Sequence, residues 1–261
     1  MLLHGWMGTS HVWLGVAEQL QDQFQLVIPD MRGYGESDKP YAGYDGATLA
    51  DDLLGILDAL GIPNAAVIGH DMGAIPALLF AAKYPHRTTF LGYVDEPLPG
   101  YNLQEFTAFD ENNVFPYWWF SFNSQAHLPA LMWEGKEAQL VDYFVSAMTA
   151  DPHAIPPDSR AEIVRTLRKP GGLHGSFGWY REALRSGGQI REATRSKLQL
   201  PVLAVNGQYG HPGVGDQMRL VASEVTSFTV ANCGHLVPEE RPDEFADILR
   251  DFANAHAGGQ P

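Results

Sequence analysis

The sequence predicts an α/β fold, a mostly parallel sheet flanked by helices and carrying an inserted helical segment. Short apolar runs recur without polar alternation, as strands buried on both faces require. Stretches of helical period lie between them, and the alternation of strand and helix implies parallel pairing through crossovers. In chain order, Met1-Leu2-Leu3 runs straight into His4-Gly5-Trp6, a strand end with a glycine turn rather than a secretory signal. Phe24 to Asp30 reads as a second strand, followed by the glycine-rich turn Arg32 to Ser37. Leu49, Leu53, Ile56, Leu57 and Leu60 share a helical stripe with Asp51, Asp52 and Asp58 off it, and Gly61 with Pro63 ends that helix. Ala65 to Gly69 is a buried strand, a helix is expected from Met72 to Tyr84, and Thr89 to Val94 is the next strand.

Beyond Pro97 the pattern changes. Residues 97–198 are rich in aromatics and helix-like stretches and read as a cap, whereas strand patterning resumes at Pro201 to Gly207 and Ser227 to Val230. A final helix is expected near Pro242 to Ala255, with Phe245, Ile248, Leu249 and Phe252 on one face. The core therefore comprises residues 1–96 and 199–261, split around the cap.

Composition narrows the function. The 261 residues carry 17 Lys and Arg against 31 Asp and Glu, a net charge of −14 without a basic run. Attraction to nucleic acid or to an anionic membrane has no electrostatic support, and no apolar stretch is long enough to span a bilayer. A neutral small-molecule substrate and a cytoplasmic location are expected, with oligomeric state open and a homodimer one option. Cys233 is the only cysteine, and the ten histidines show no metal-ligand spacing. No glycine loop matches a nucleotide signature, so neither metal nor cofactor is expected.

Gly69-His70-Asp71-Met72-Gly73 sits between a buried strand and a helix, where a tight turn between small residues presents the central side chain. Asp71 there is a weak nucleophile in water, but it can open a strained or activated carbon bond when held in line with it. Standing alone, such an aspartate also reads as a helix cap. Its context favours chemistry: His235, in Asn232-Cys233-Gly234-His235, lies on a loop between a strand and a helix, a usual setting for a general base.

Three stretches together, Asp30 to Ser37, Gly69 to Gly73 and Asn232 to Pro242, resemble the epoxide hydrolase and haloalkane dehalogenase branch of the α/β-hydrolases. Tyr93 to Pro99, Trp118 to Phe122 and Ser176 to Arg181 are similar to stretches of Cif-type bacterial epoxide hydrolases. The resemblance implies an α/β-hydrolase fold and leaves room for N-terminal strands absent from this numbering. It also implies an oxyanion hole from the backbone N–H groups of Trp6 and Met72. The acid that orients His235 falls in many relatives where this chain has Gly210. Cif-type relatives place it after the preceding core strand, so Asp95 is expected, ahead of its neighbour Glu96, which stands where those relatives have a small neutral residue, and of Asp216.

Epoxide opening needs a proton for the departing oxygen. The resemblance assigns that to Tyr180, whose partner, a tyrosine or histidine in relatives, is here Trp119, able to hydrogen-bond but not to deliver a proton. Trp118, Phe122, Trp179 and His70 are expected to wall the pocket with Trp119. His70, like His174 and His211, also reads as structural. The implied activity is hydrolysis of a small, apolar epoxide through an ester to Asp71, hydrolysed by water that His235 activates. A haloalkane or haloacid dehalogenase using the same ester, or a ligand-binding homologue, is the alternative; Met72 and Trp6 stand where dehalogenases of this branch carry other residues.

Overall fold

Apolar side chains cover both faces of one parallel sheet, which the computed structural model describes together with the rest of residues 1–109 and 114–256. Its strands, β1 (Leu2–Leu3), β2 (Ala65–His70), β3 (Thr88–Val94), β4 (Val202–Gly207) and β5 (Val225–Val230), lie side by side in sequence order. Successive residues alternate between faces. Val67, Leu91 and Ala204 enter one core, with Leu53 and Leu57 of α2 (Gly46–Ala59) and Leu78 of α3 (Ala74–Lys83). Ile68, Phe90 and Leu203 enter the other, against Val16 of α1 (Leu14–Leu20) and the last helix. Burial on both faces is why the strands read as unbroken apolar runs.

Local signals set the element ends. Asp45 caps α2 by accepting from the Thr48 N–H, and Gly61, at φ 66°, turns the chain out after it. Between β3 and β4 the described chain forms only helices: α4 (Leu103–Phe106), α5 (Val114–Asn123), α6 (Leu128–Trp133), α7 (Glu137–Met148), α8 (Pro157–Leu167), α9 (Gly172–Ser176) and α10 (Gly178–Ala193). The chain continues through α11 (Val214–Val221), α12 (Val237–Glu240) and α13 (Pro242–His256). Among the described residues no helix is long and apolar enough to cross a membrane.

Two expectations need correction. Phe24 to Asp30 forms no strand: β1 is only two residues long, and its backbone bond to this segment is Leu2 N–H donating to the Val27 carbonyl at 2.9 Å. Its alternation still shows in packing, with Phe24, Leu26 and Ile28 against one core and Val27 against the other. The helix expected from Met72 starts later, because Asp71–Gly73 forms a tight 3₁₀ turn and α3 begins at Ala74.

Candidate active site

The turn after β2 holds Asp71 at φ 51°, in the left-handed region that side chains other than glycine seldom occupy. Its glycines make that turn fit. A Cβ on Gly69 would stand 2.2 Å from the Gly73 carbonyl oxygen, and one on Gly73 would stand 2.4 Å from that of His4. The strand end thus packs flush against the loop after β1, and Asp71 alone projects from the turn.

That loop is held by His4, which is fully buried and lowered by that burial to about 4, so its ring is neutral. The ring accepts the Met31 N–H at Nε2, 2.9 Å away, which leaves the proton on Nδ1 to donate to the Gly5 carbonyl. The loop aims the Trp6 N–H at Asp71, donating to Oδ1 at 2.6 Å. Asp30, just before the glycine-rich turn, anchors the same region by accepting the N–H groups of Ser10 and Glu36.

The other carboxylate oxygen, Oδ2, lies 2.7 Å from His235 Nε2. Two bonds fix the His235 backbone: its N–H donates to the Met148 carbonyl at the end of α7, and its carbonyl accepts from the His70 ring, both at 2.7 Å. Behind His235, Asp95 Oδ2 stands at an ion-pair distance of 3.6 Å from Nδ1. Asp95 is also at φ 51°, completely buried, and accepts the N–H of His211. Gly210 explains the empty position noted in the sequence. A Cβ there would fall 1.9 Å from Asp95 Oδ2, so the carboxylate occupies the space a side chain would need.

Electrostatics follow from this packing. Burial raises the Asp71 carboxyl, but the hydrogen bond and charge of His235, helped by Trp6, outweigh it and hold Asp71 below the usual carboxylate value. Burial alone would lower His235; the bond to Asp71 and the Asp95 carboxylate instead hold it well above its ordinary value. Asp95 is raised, chiefly by burial.

A cavity of about 200 Å³ opens over Asp71 and His235. On its helical side Trp119 Nε1 donates to the Tyr180 hydroxyl oxygen at 2.7 Å, and both side chains are buried. Burial, reinforced by the Asp71 charge, raises the Tyr180 hydroxyl well above 10. With its oxygen taken by Trp119, the phenol keeps its proton for the cavity. Trp6 and Phe144 pack on Trp119 with ring centroids 5.1 and 5.6 Å away.

Asp71, His235, Asp95, Tyr180, Trp119 and Met72 therefore meet at one cavity, with the Trp6 N–H on Asp71. Four expected pocket residues do not line it. On α5, Phe115 and Trp119 face inward four residues apart, whereas Trp118 is 39% exposed and stacks on Phe122 on another face of the helix. Trp179 is buried one position from Tyr180 but turns to His4 and Tyr34. His70 faces a separate small void and the His235 backbone. Sequence reasoning did not pick out Phe144 and Met148 on α7, Phe106 or Glu96 as cavity walls. Phe144 and Met148 are separated by four residues, a helical signal that could have flagged the α7 face.

A nucleophile turn at the end of a parallel strand, facing a histidine loop, is the arrangement of an α/β hydrolase. The pattern of the α/β hydrolase fold family matches residues 1–242, and the chain belongs to that family. A soluble epoxide hydrolase of Corynebacterium sp. (strain C12) is 30% identical to it, covering 97% of this chain and 88% of that protein. A fluoroacetate dehalogenase of Burkholderia sp is 27% identical, covering 99% and 88%. Among solved structures, wild-type Cfl2 from Burkholderia cenocepacia has a TM-score of 0.92 at 35% identity, covering 96% of this chain and 86% of that one.

Proposed function

We propose that this protein is an epoxide hydrolase acting through a covalent ester on Asp71, with residues 97–198 as the cap that closes the site. One observation carries this reading. The two Asp71 oxygens are differently engaged, Oδ1 by the Trp6 N–H and Oδ2 by His235, beneath a tyrosine whose proton is free to leave. Asp71 Oδ2 attacks an epoxide carbon and the C–O bond of the ring breaks, its oxygen taking the Tyr180 proton. Ester formation cancels the Asp71 charge that raised His235, so the imidazolium gives its proton up to the Tyr180 phenolate and the neutral imidazole becomes a base for water. Water adds to Cγ, the oxyanion at Oδ1 rests on the N–H of Trp6 with that of Met72, and the Cγ–Oδ2 bond breaks. The departing alkoxide takes the proton from His235. The proton left on the new Asp71 carboxyl returns to His235, which restores the ion pair, and a diol is released.

The likeness to a fluoroacetate dehalogenase keeps a second reading in view. Among the described residues no lysine or arginine lines the cavity to grip a carboxylate, and the Trp119 N–H, which could hold a halide, is engaged by Tyr180. Both facts favour the epoxide. Product analysis over a small panel of epoxides and haloalkanes is the test: diol is expected, whereas halide release without diol formation overturns the reading. In His235→Gln, intact-mass measurement should find the enzyme increased by the mass of one epoxide, the trapped ester.

A further inference from the structure

We propose that Glu96 donates a hydrogen bond from its carboxyl to an oxygen acceptor on the substrate, so that the site selects epoxides bearing an ether, hydroxyl or carbonyl oxygen beside the ring. This deepens the epoxide reading above and rests on it. Glu96 follows Asp95 at the end of β3, is only 3% exposed, and lines the cavity shared by Asp71 and Tyr180. Its Oε1 is fully buried and has no hydrogen-bond partner among the described residues. A buried polar atom without a partner costs free energy, so such a group in a ligand cavity points to a partner that arrives with the ligand.

The surrounding charges decide which form Glu96 takes. Asp71, Asp95, His235, Tyr93 and Tyr180 face it electrostatically, and among the described residues no lysine or arginine lines the cavity. His235 already stands between both aspartates, so a third carboxylate would have no cation of its own. Burial first, and then the Asp71 charge, push the Glu96 carboxyl well above its ordinary range, which leaves a neutral acid with a proton to share.

Nearby acceptors are engaged elsewhere. Asp71 holds Trp6 and His235, Asp95 holds the His211 N–H, and the Tyr180 oxygen holds Trp119. Tyr93 spends its own proton on the Pro97 carbonyl at 3.1 Å. Much of the remaining wall is apolar, including Phe106, Phe120, Phe144 and Met148. A buried acid donor in a largely apolar wall discriminates well, because a substrate lacking the acceptor leaves that donor unpaired.

The test compares methyl glycidyl ether with terminal epoxypentane, which differ only in an ether oxygen against a methylene. In the parent protein kcat/KM should favour the ether by about tenfold, the worth of one such hydrogen bond. Glu96→Met should bring the ratio to about one, while Glu96→Gln, whose amide also donates, should preserve it. An unchanged ratio in Glu96→Met, or equal rates on both epoxides in the parent, overturns the role of Glu96 alone. Hydrolysis of neither epoxide overturns the epoxide reading, and this proposal with it. Independently of turnover, the infrared difference between the parent and Glu96→Gln at neutral pH should contain the carbonyl band of a protonated carboxylic acid, and a carboxylate band in its place overturns the proposal.

Discussion

The charged groups at the strand ends and the donor pair on the helices above them are held by different forces. Backbone N–H groups of Trp6 and His211 grip Asp71 and Asp95, and the His235 backbone is pinned at both its N–H and its carbonyl. Trp119 and Tyr180 are held by each other and by rings: Trp6, Phe115 and Phe144 around the indole, Phe120 and Trp6 around the phenol. Hydrogen bonds from a folded sheet fix direction tightly, whereas ring packing fixes volume and tolerates small shifts. In the proposed mechanism the lower half thus fixes the line of attack, while the ring-packed upper half gives room for substrates of different shape.

Substitutions of decreasing expected severity sharpen that contrast. Asp71→Asn should lower turnover by about 10⁴-fold or more, since the proposed nucleophile is removed. It should also change the histidine. Asp71 and Asp95 hold His235 protonated above its ordinary 6.5, a pKa that must fall when one carboxylate is neutralised. Imidazole signals followed by NMR should therefore show His235 losing its proton at lower pH in this variant than in the parent. An unchanged titration would break the link drawn between ester formation and the release of His235 as a base.

Tyr180→Phe should slow ester formation by about a thousandfold, because both a hydrogen bond and a transferable proton disappear. Rapid-quench measurement of the ester resolves that step. The parent's ester formation should stay level as pH rises towards 10, since the phenol is held well above that value. An alkaline fall well below it would mean the hydroxyl is not so strongly raised.

Asp95→Asn should slow ester hydrolysis by about a hundredfold and ester formation far less, because His235 acts as a base only in the second step. Equal loss in both steps would mean that Asp95 holds the loop rather than the histidine's charge. Trp119→Phe comes last, at about tenfold, as one neutral hydrogen bond to the tyrosine oxygen is lost. A Trp119→Phe loss larger than that of Tyr180→Phe, with bromide release from a bromoalkane, would turn the function towards dehalogenation.

Legibility in the sequence follows the same divide. Buried parallel strands announce themselves as short apolar runs, and the turn around Asp71 and the loop of His235 lie at their ends, within a few residues of a motif. The helical region resists such reading because what matters there is rotational phase. Trp118 and Trp119 are adjacent in the chain, yet one reaches solvent and the other the cavity. Trp179 and Tyr180 part in the same way, towards His4 and towards the cavity. An aromatic-rich helix offers too little polar contrast to tell its faces apart. Sequence reasoning puts His70 on the pocket wall for another reason: its true partner, the His235 carbonyl, lies 165 positions further along the chain.

The close approach of Gly210 to Asp95 has an evolutionary consequence. A side chain at one address excludes a carboxylate at the other, so the two placements of the acid that the resemblance implies are rival tenants of one volume rather than independent choices. Moving the acid requires both positions to change, and each change made alone is harmful: a filled position 210 displaces Asp95, and a lost Asp95 leaves His235 without its support. Such reciprocal sign epistasis blocks gradual exchange, so the address of the acid should be inherited rigidly within a lineage and serve as a durable marker of descent.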